Sequence, residues 1–246
     1  MSDAIVIDLG RMDFRECWSI QHDVHLARVE SRIPDCLLLV EHPHIFTLGK
    51  NGNKNNILVS ESLLRKRGVD TVSIERGGDV TYHGPGQVIG YPIFSLRKRR
   101  YGASEFVSSM EEVMIRTLKD FGLKGERNRL NRGVWVGLEK IGFIGIAVRR
   151  SVVLHGFSLN VSPDLSYFKM IHSCGLKGIG ITSMKSLLDM QVDSTDVKKS
   201  IISHFEKILR LDMEEVNKKI LSKKITEKIL SKSNILHEKL KLFTHE

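Results

Sequence analysis

Residues 76–87 read Arg-Gly-Gly-Asp-Val-Thr-Tyr-His-Gly-Pro-Gly-Gln and separate two apolar, strand-like runs. Four glycines and one proline make this a turn-rich segment, and glycine also lets a ligand approach the main chain closely. Its polar side chains are those of Arg76, Thr81, Tyr82, His83 and Gln87. A donor-rich segment between buried strands is typical of a pocket floor. The simpler interpretation is a long hairpin connection, although hairpin loops usually have about two to five residues.

The composition indicates one large α/β domain. The chain has 246 residues, of which 41% are hydrophobic, and its formal net charge is +9. A basic protein favours an acidic partner, which could be nucleic acid, an anionic membrane surface or an acidic protein. The first residues lack the features of a signal peptide, and no apolar run is long enough to span a membrane. Three cysteines argue against a disulfide framework, so we expect a cytoplasmic protein.

Hydrophobic periodicity predicts one α/β domain at residues 1–211, a mixed sheet with flanking helices. Strands are expected at residues 5–9, 36–40, 71–75, 88–96, 133–136, 140–148, 152–154 and 157–161. Helices are expected at residues 13–31, 60–68, 104–121, 183–188 and 195–211, with Ser104 as an N-cap. Pro92 favours a sheet edge or a bulge for its strand. The Lys- and Glu-rich residues 212–246 predict a C-terminal helical extension.

The three cysteines lie in different surroundings. Cys17 falls on the apolar side of a predicted helix and Cys36 begins a buried strand, so both are expected to be small core residues. Cys174 lies instead in a mixed polar segment, His172-Ser173-Cys174-Gly175. An exposed thiol there could be a nucleophile, although a lone cysteine is weak evidence by itself.

Lys140 opens the apolar strand at residues 140–148. Strict alternation would place it on the same face as Gly142, Ile144 and Ile146. One interpretation is a turn lysine whose ammonium reaches water. The other is a desolvated ammonium beside an anion that it stabilises. A Cys174 thiolate would be that anion, and the cation would favour this reactive form of the sulfur.

Three other kinds of site find less support. His42 and His44 form an H-x-H pair, but no third ligand follows at a recognisable spacing, so we expect no metal. The glycine segment fits neither the P-loop nor the dinucleotide-binding pattern, so we expect no nucleotide cofactor. No nucleic-acid motif accompanies the basic residues. We interpret them as a solvated surface or as a docking site for an acidic protein; they are Arg97, Lys98, Arg99, Arg100, Arg127, Arg129, Arg132, Arg149 and Arg150.

Several motifs occur in the order found in octanoyltransferases of the lipoate-protein ligase B family, which the chain resembles. Residues 76–87 match the family segment R-G-G-x-x-T-Y-H-G-P-G-Q closely. Residues 133–141 resemble its G-V-W-V…K-I hairpin, and residues 155–161 resemble H-G-x-A-L-N-V. Cys174 stands where the family has its cysteine. The ordered set of motifs is more specific than any one of them.

The resemblance covers about residues 6–184 and implies the catalytic fold shared by biotin and lipoate protein ligases. It implies transfer of an octanoyl or lipoyl group from acyl carrier protein to a lysine of a lipoyl domain, in lipoate biosynthesis. Such domains occur in 2-oxoacid dehydrogenase E2 subunits and in the glycine cleavage H protein. Cys174 would carry the acyl group as a thioester, and Lys140 would favour its thiolate, without cofactor or metal. The implied acyl-pocket residues are Arg76, Gly77, Gly78, Asp79, Val80, Thr81, Tyr82, His83, Phe143, Ile144, Gly145, Gly156, Phe157 and Ser158.

Two positions depart from the family pattern. Ser173 stands where the residue before the cysteine is commonly proline, and Phe143 stands where a small residue is common. A bulky Phe143 could shorten the acyl channel, whereas neither change removes a reacting group. The alternatives are a lipoyl-domain amidotransferase, an ATP-dependent lipoate or biotin ligase, and a non-catalytic module that binds a carrier protein or nucleic acid.

Overall fold

A computed structural model describes residues 2–129, 131–176 and 178–217 of the chain. These residues form eleven strands and six α-helices, and short 3-10 turns lie at Lys54–Asn56, Leu165–Met170 and Ser173–Gly175. The elements follow in the order β1 (Ala4–Arg11), α1 (Phe14–Val29), β2 (Asp35–Glu41), β3 (Ile45–Leu48), α2 (Glu61–Lys66), β4 (Asp70–Ser73), β5 (Val80–His83), β6 (Gln87–Ile93), α3 (Leu96–Arg99), α4 (Ala103–Asp120), β7 (Val134–Val136), β8 (Glu139–Arg149), β9 (Val152–Asn160), β10 (Gly180–Ile181), α5 (Met184–Leu188), α6 (Ser194–Leu209) and β11 (Met213–Glu215).

Two sheets organise these elements. The larger has the strand order β10-β8-β9-β6-β2-β1-β11, with β7 also paired to β8. It is mixed, because β1 and β2 run parallel whereas β2, β6, β9 and β8 pair antiparallel in succession. The smaller sheet has the order β4-β3-β5. The predicted α/β class with a mixed sheet and flanking helices is therefore confirmed.

Side chains on both faces of the larger sheet are buried, which explains the continuous apolar run of β2. Leu37 and Leu39 face a core that includes Phe106 and Phe205 of helices α4 and α6. Leu38 faces the opposite core, which α1 covers. Cys17 and Cys36 lie in this second core with no exposed surface, as predicted. Burial raises the pKa of the Cys17 thiol to about 12.

The glycine-rich segment at residues 76–87 is only partly a loop. Val80–His83 form β5, which pairs antiparallel with β3 in the smaller sheet, so this part of the turn-rich segment is a strand. The strands before and after the segment belong to different sheets, which is why it is not a simple hairpin connection.

Three local predictions are corrected by the surroundings of the residues. Ser104 is not the N-cap of α4, because Gly102 holds that position and its N–H donates to the Glu105 carboxylate. Pro92 lies in β6, in the interior of the sheet and not at its edge. The two predicted strands at residues 152–161 are one strand, β9. Its pairing with β6 is interrupted opposite Pro92, which has no N–H to donate.

The predicted C-terminal helical extension does not begin at residue 212. Met213–Glu215 form β11, which runs parallel to β1. Met213 packs against one core and Val216 against the other, so alternation stabilises a strand here. The rest of the predicted extension lies outside the described residues from residue 218 onward. Within the described part of the chain, no helix is both long enough and apolar enough to cross a membrane.

Candidate active site

A cavity of about 320 Å³ lies between β8 and β9 of the larger sheet and the segment that contains β5. Val80 and Tyr82 do not line it, because alternation along β5 turns them into the neighbouring hydrophobic core, where both are fully buried. Thr81 and His83 face the cavity instead. The predicted pocket residues that line it are Arg76, Gly77, Gly78, Asp79, Thr81, His83, Phe143, Ile144, Gly145, Gly156, Phe157 and Ser158, together with Cys174.

Cys174 lies on a tight 3-10 turn at the wall of this cavity and is half-buried. Its backbone is left-handed, with φ +57° and ψ 21°, a conformation that costs a non-glycine residue about 1–2 kcal/mol. The turn packs closely on the glycine segment, since a Cβ added to Gly175 would lie 2.8 Å from Asp79 Oδ2. The same carboxylate accepts hydrogen bonds from Asn56 Nδ2 and from the Asn53 N–H. These contacts fix the position of the sulfur.

The structure brings Lys140 to Cys174, although 34 positions separate them in the sequence. Lys140 is fully buried, and its ammonium lies 3.7 Å from Cys174 Sγ. It also donates to Asn131 Oδ1 at 2.6 Å and to the Arg132 carbonyl oxygen at 2.8 Å. Burial lowers the pKa of Lys140 below its ordinary value, whereas the nearby Cys174 and Glu111 raise it. The turn-lysine interpretation is therefore wrong, and a desolvated ammonium beside the sulfur is observed.

A β-bulge explains why strict alternation places Lys140 on the wrong face. Trp135 pairs with Lys140 and Val134 pairs with Gly142, so Ile141 is an extra residue in β8. As a result, Ile141 packs in the same core as Ile144. Lys140 faces the opposite side, where its ammonium lies 5.1 Å from the centre of the Phe143 ring.

A buried carboxylate on α4 holds the segment beside Lys140. Glu111 is 1% exposed and accepts hydrogen bonds from the Gly133 N–H at 3.0 Å and from Arg132 Nη1 at 3.1 Å. Sequence reasoning missed Asn131 and Glu111, and it treated Arg132 only as part of a basic surface. A carboxylate on the otherwise apolar face of α4 was the one available signal, because a buried Glu usually has a charged partner.

Arg76 fixes the glycine segment from inside. Its buried guanidinium donates to the Thr47 carbonyl oxygen at 2.6 Å, to Thr47 Oγ1 at 2.9 Å and to the Gly77 carbonyl oxygen at 2.9 Å. Burial lowers the pKa of Arg76 to about 10. A Cβ at Gly145 would lie 2.9 Å from Arg76 Cδ, so the small residue in β8 is needed for this approach. Arg76 therefore connects both sheets at the cavity.

Polar groups also line the cavity. His155 has φ +58°, and its Nε2 lies 3.4 Å from Glu75 Oε2. The neighbouring His155 lowers the pKa of Glu75 to about 2, against the opposing effect of burial. Thr81 Oγ1, His83 Nδ1 and Ser158 Oγ are buried without a hydrogen-bond partner among the described residues. The lining of the cavity therefore combines polar groups with apolar side chains.

The H-x-H pair serves a structural role. His42 Nδ1 bonds the Met12 carbonyl oxygen at 2.8 Å, and its Nε2 bonds the Tyr91 hydroxyl at 2.9 Å. His44 Nδ1 bonds the Tyr82 hydroxyl at 2.8 Å. In residues 2–129, 131–176 and 178–217, no three His, Cys, Asp or Glu side chains are grouped so that they could hold a metal ion.

Similarity to known proteins agrees with this geometry. The family model of the lipoyl protein ligase A/B catalytic domain matches residues 13–206. An octanoyltransferase of Syntrophobacter fumaroxidans is 45% identical over 212 residues, which are 86% of this chain and 93% of that protein. Among solved structures, a bipartite lipoate protein ligase of Thermoplasma acidophilum has a TM-score of 0.73 at 16% identity, over 94% of this chain and 93% of that one.

A more distant structure shares the fold alone. The biotin protein ligase of Aquifex aeolicus has a TM-score of 0.51 at 9% identity, over 85% of this chain and 71% of that one. The expected fold of biotin and lipoate protein ligases is thus confirmed. Because the family model and the 45%-identical relative both span most of the sequence, the chain belongs to the octanoyltransferase family and is an acyltransferase.

Proposed function

We propose that the chain transfers an octanoyl group from an acyl carrier protein to a lysine of a lipoyl domain, through an acyl-enzyme on Cys174. The observation that carries this proposal is the 3.7 Å contact between Cys174 Sγ and the buried Lys140 ammonium at the wall of a cavity. A cation at this distance stabilises a thiolate, which is the nucleophilic form of cysteine. A lipoyl group is the second acyl group that we propose for transfer through the same cavity.

The proposed reaction has two balanced steps. The Cys174 thiolate attacks the carrier thioester, the new C–S bond forms, and the carrier sulfur leaves with a proton that Lys140 supplies. The substrate lysine then attacks the acyl-enzyme. The C–N bond forms, the C–S bond breaks, and the neutral Lys140 takes up the proton that the amine loses. A thioester is exchanged for an amide, so the reaction requires neither ATP nor a metal.

The strand register indicates where the acyl chain would lie. Phe143 is paired with Ser158 near Lys140, and three residues further along β8, Ile146 is paired with His155. Three strand residues span about 10 Å. An extended eight-carbon chain on Cys174 would therefore run along β8 and β9 and end near His155.

The basic residues differ in position and in exposure, which bears on how an acidic donor would dock. Arg129 is exposed and lies two positions before Asn131, whose side chain contacts Lys140. Arg149 is also exposed, but it lies at the other end of β8, nine residues and about 30 Å from Lys140. Arg99, by contrast, is bound to the buried Asp35. We propose that the acidic carrier docks at the Arg129 end, where its thioester would reach Cys174.

The proposed acceptors are lipoyl domains of 2-oxoacid dehydrogenase E2 subunits or the glycine cleavage H protein. A catalytic thiol must stay reduced, which places the reaction in the cytoplasm under this proposal. The proposed acceptors and the proposed location both rest on the proposed chemistry of Cys174.

Intact-protein mass spectrometry tests the proposal. Mixing the enzyme with octanoyl carrier protein, without ATP, should add one octanoyl group, and hydroxylamine should remove it. Cys174→Ser should abolish the adduct, whereas Cys17→Ala, which removes a buried core thiol, should keep it. Adding a lipoyl domain should move the octanoyl group to its lysine. Acylation of the lipoyl domain from free octanoate only when ATP is present would refute the proposal and favour an ATP-dependent ligase.

A further inference from the structure

Attack on a thioester places negative charge on the carbonyl oxygen, and enzymes stabilise it with pre-positioned N–H donors. Lys140 is not free to supply one. An ammonium has three hydrogens, and those of Lys140 are directed at Asn131 Oδ1, the Arg132 carbonyl oxygen and Cys174 Sγ. Lys140 can thus activate the sulfur, but the donor for the oxygen must come from another group.

The backbone N–H groups that follow the sulfur are also engaged. The Gly175 N–H donates to the His172 carbonyl oxygen at 2.9 Å, and the Leu176 N–H donates to the Ser173 carbonyl oxygen at 3.1 Å. These bonds close the 3-10 turn that carries Cys174. Using either N–H for the substrate would break the turn, so a side-chain donor is the better candidate.

Asn131 has the required orientation. Because an ammonium only donates, the amide oxygen of Asn131 must face Lys140, and the Nδ2 hydrogens must therefore point away from it. Asn131 and Cys174 both line the cavity. We propose that Asn131 Nδ2 donates a hydrogen bond to the carbonyl oxygen of the acyl thioester as Cys174 attacks. This inference rests on the acyl-enzyme proposed above.

The main chain beside Asn131 is held on both sides. The Arg132 carbonyl oxygen accepts from Lys140, and the Gly133 N–H donates to the buried Glu111 carboxylate. A donor held in this way does not need to reorganise during the reaction, which is the condition for strong stabilisation of an oxyanion. When the intermediate collapses, the C=O bond re-forms, the carrier sulfur leaves as a thiol with the proton from Lys140, and the hydrogen bond from Asn131 weakens.

Two rates measured on the same variants distinguish direct stabilisation of the oxyanion by Asn131 from a role in positioning Lys140 alone. The first is the single-turnover rate of acylation by octanoyl carrier protein. The second is the rate of Cys174 alkylation by iodoacetamide, which depends on the thiolate but forms no oxyanion. Asn131→Asp keeps an acceptor for Lys140 and removes the N–H donor, and Asn131→Ala removes both. Met190→Ala, at an exposed position that does not line the cavity, is the control.

We expect the ratio of acylation to alkylation to fall about 100- to 1000-fold in both Asn131 variants, which is the usual loss when one oxyanion donor is removed. The ratio in Met190→Ala should equal that of the wild type. If acylation and alkylation fall together in both Asn131 variants, Asn131 acts only by positioning Lys140, and the inference is overturned. If wild-type enzyme forms no acyl-enzyme, the proposed function fails, and the role of Asn131 fails with it.

Discussion

Replacing Phe143 by alanine should shift the enzyme toward longer acyl chains. The Phe143 ring is 4% exposed and forms part of the wall of the cavity that contains Cys174. It stacks on Phe168, with ring centroids 5.2 Å apart and an interplanar angle of 14°. The family pattern commonly has a small residue here, and the ring lies beside the start of the proposed acyl chain near Lys140, so it takes up cavity space that a longer chain could fill.

The size of the shift follows from the burial of methylene groups. Removing the ring opens space for about two further methylenes, each worth about 0.8 kcal/mol when buried. A gain of about 1.6 kcal/mol corresponds to a factor of about 14, since about 1.4 kcal/mol is tenfold. The ratio of kcat/KM for decanoyl to octanoyl donors should rise by up to this factor. Loss of the ring should also cost about 3 kcal/mol of stability, at the low end for such changes because one side faces the cavity.

A competition assay measures the ratio directly. Octanoyl and decanoyl carrier proteins are supplied together, and mass spectrometry counts the two products on the acceptor. Phe168→Ala is the matched control, because it removes the same ring stack but Phe168 is not among the residues that line the cavity. An unchanged ratio in folded Phe143→Ala would refute the reasoning. An equal rise in both variants would show that loosening of this core, and not added space, changes the preference.

Three further predictions concern stability and docking. Gly156→Ala should lower the free energy of unfolding in urea by about 1–3 kcal/mol, because the added Cβ would collide with the Gly90 carbonyl oxygen; an unchanged midpoint would contradict this. Stability should fall as the pH is lowered from about 7 to 5, because burial lowers the pKa of His42 to about 4 while the unfolded chain takes up its proton near 6.5. Urea titrations at several pH values would measure this, and a flat profile would count against it. Arg129→Glu should reduce kcat/KM with the carrier donor at low salt more than Arg149→Glu does; equal reductions in steady-state assays would rule out docking at the Arg129 end.

Local pattern was enough to predict most of the secondary structure. The apolar run of β2, the amphipathic α4 and the β7–β8 hairpin each follow from periodicities that nearby residues determine. The errors arose where distant residues decide the structure. β5 forms only because β3, about 35 positions earlier, offers it a partner, and β11 forms because β1 offers an edge.

The candidate site shows the same division between local and distant information. A cysteine in a polar segment and a lysine at the start of a strand are visible in the sequence, but their contact is not. The bulge at Ile141 reverses the face on which Lys140 lies, and no periodicity indicates it. The resemblance to the octanoyltransferase family linked Lys140 with Cys174, because the order of its motifs reflects a fold that alternation alone does not specify. Asn131 is not part of the motifs that carried the resemblance, and only its 2.6 Å bond to Lys140 draws attention to it.

The burial of Lys140 determines at which step of the proposed reaction this residue is charged and at which step it is neutral. Burial lowers the pKa of this ammonium, and Cys174 is the first of the groups that oppose the effect. When the sulfur becomes acylated it loses its negative charge, so the pKa of Lys140 should fall further in the acyl-enzyme. Lys140 would then give up its proton as the carrier thiol leaves and would be a base when the substrate lysine arrives. A lysine exposed to water would lack this coupling, because water would stabilise its charge in both states. The buried position therefore lets one residue serve as the cation for the thiolate and as the base for the amine.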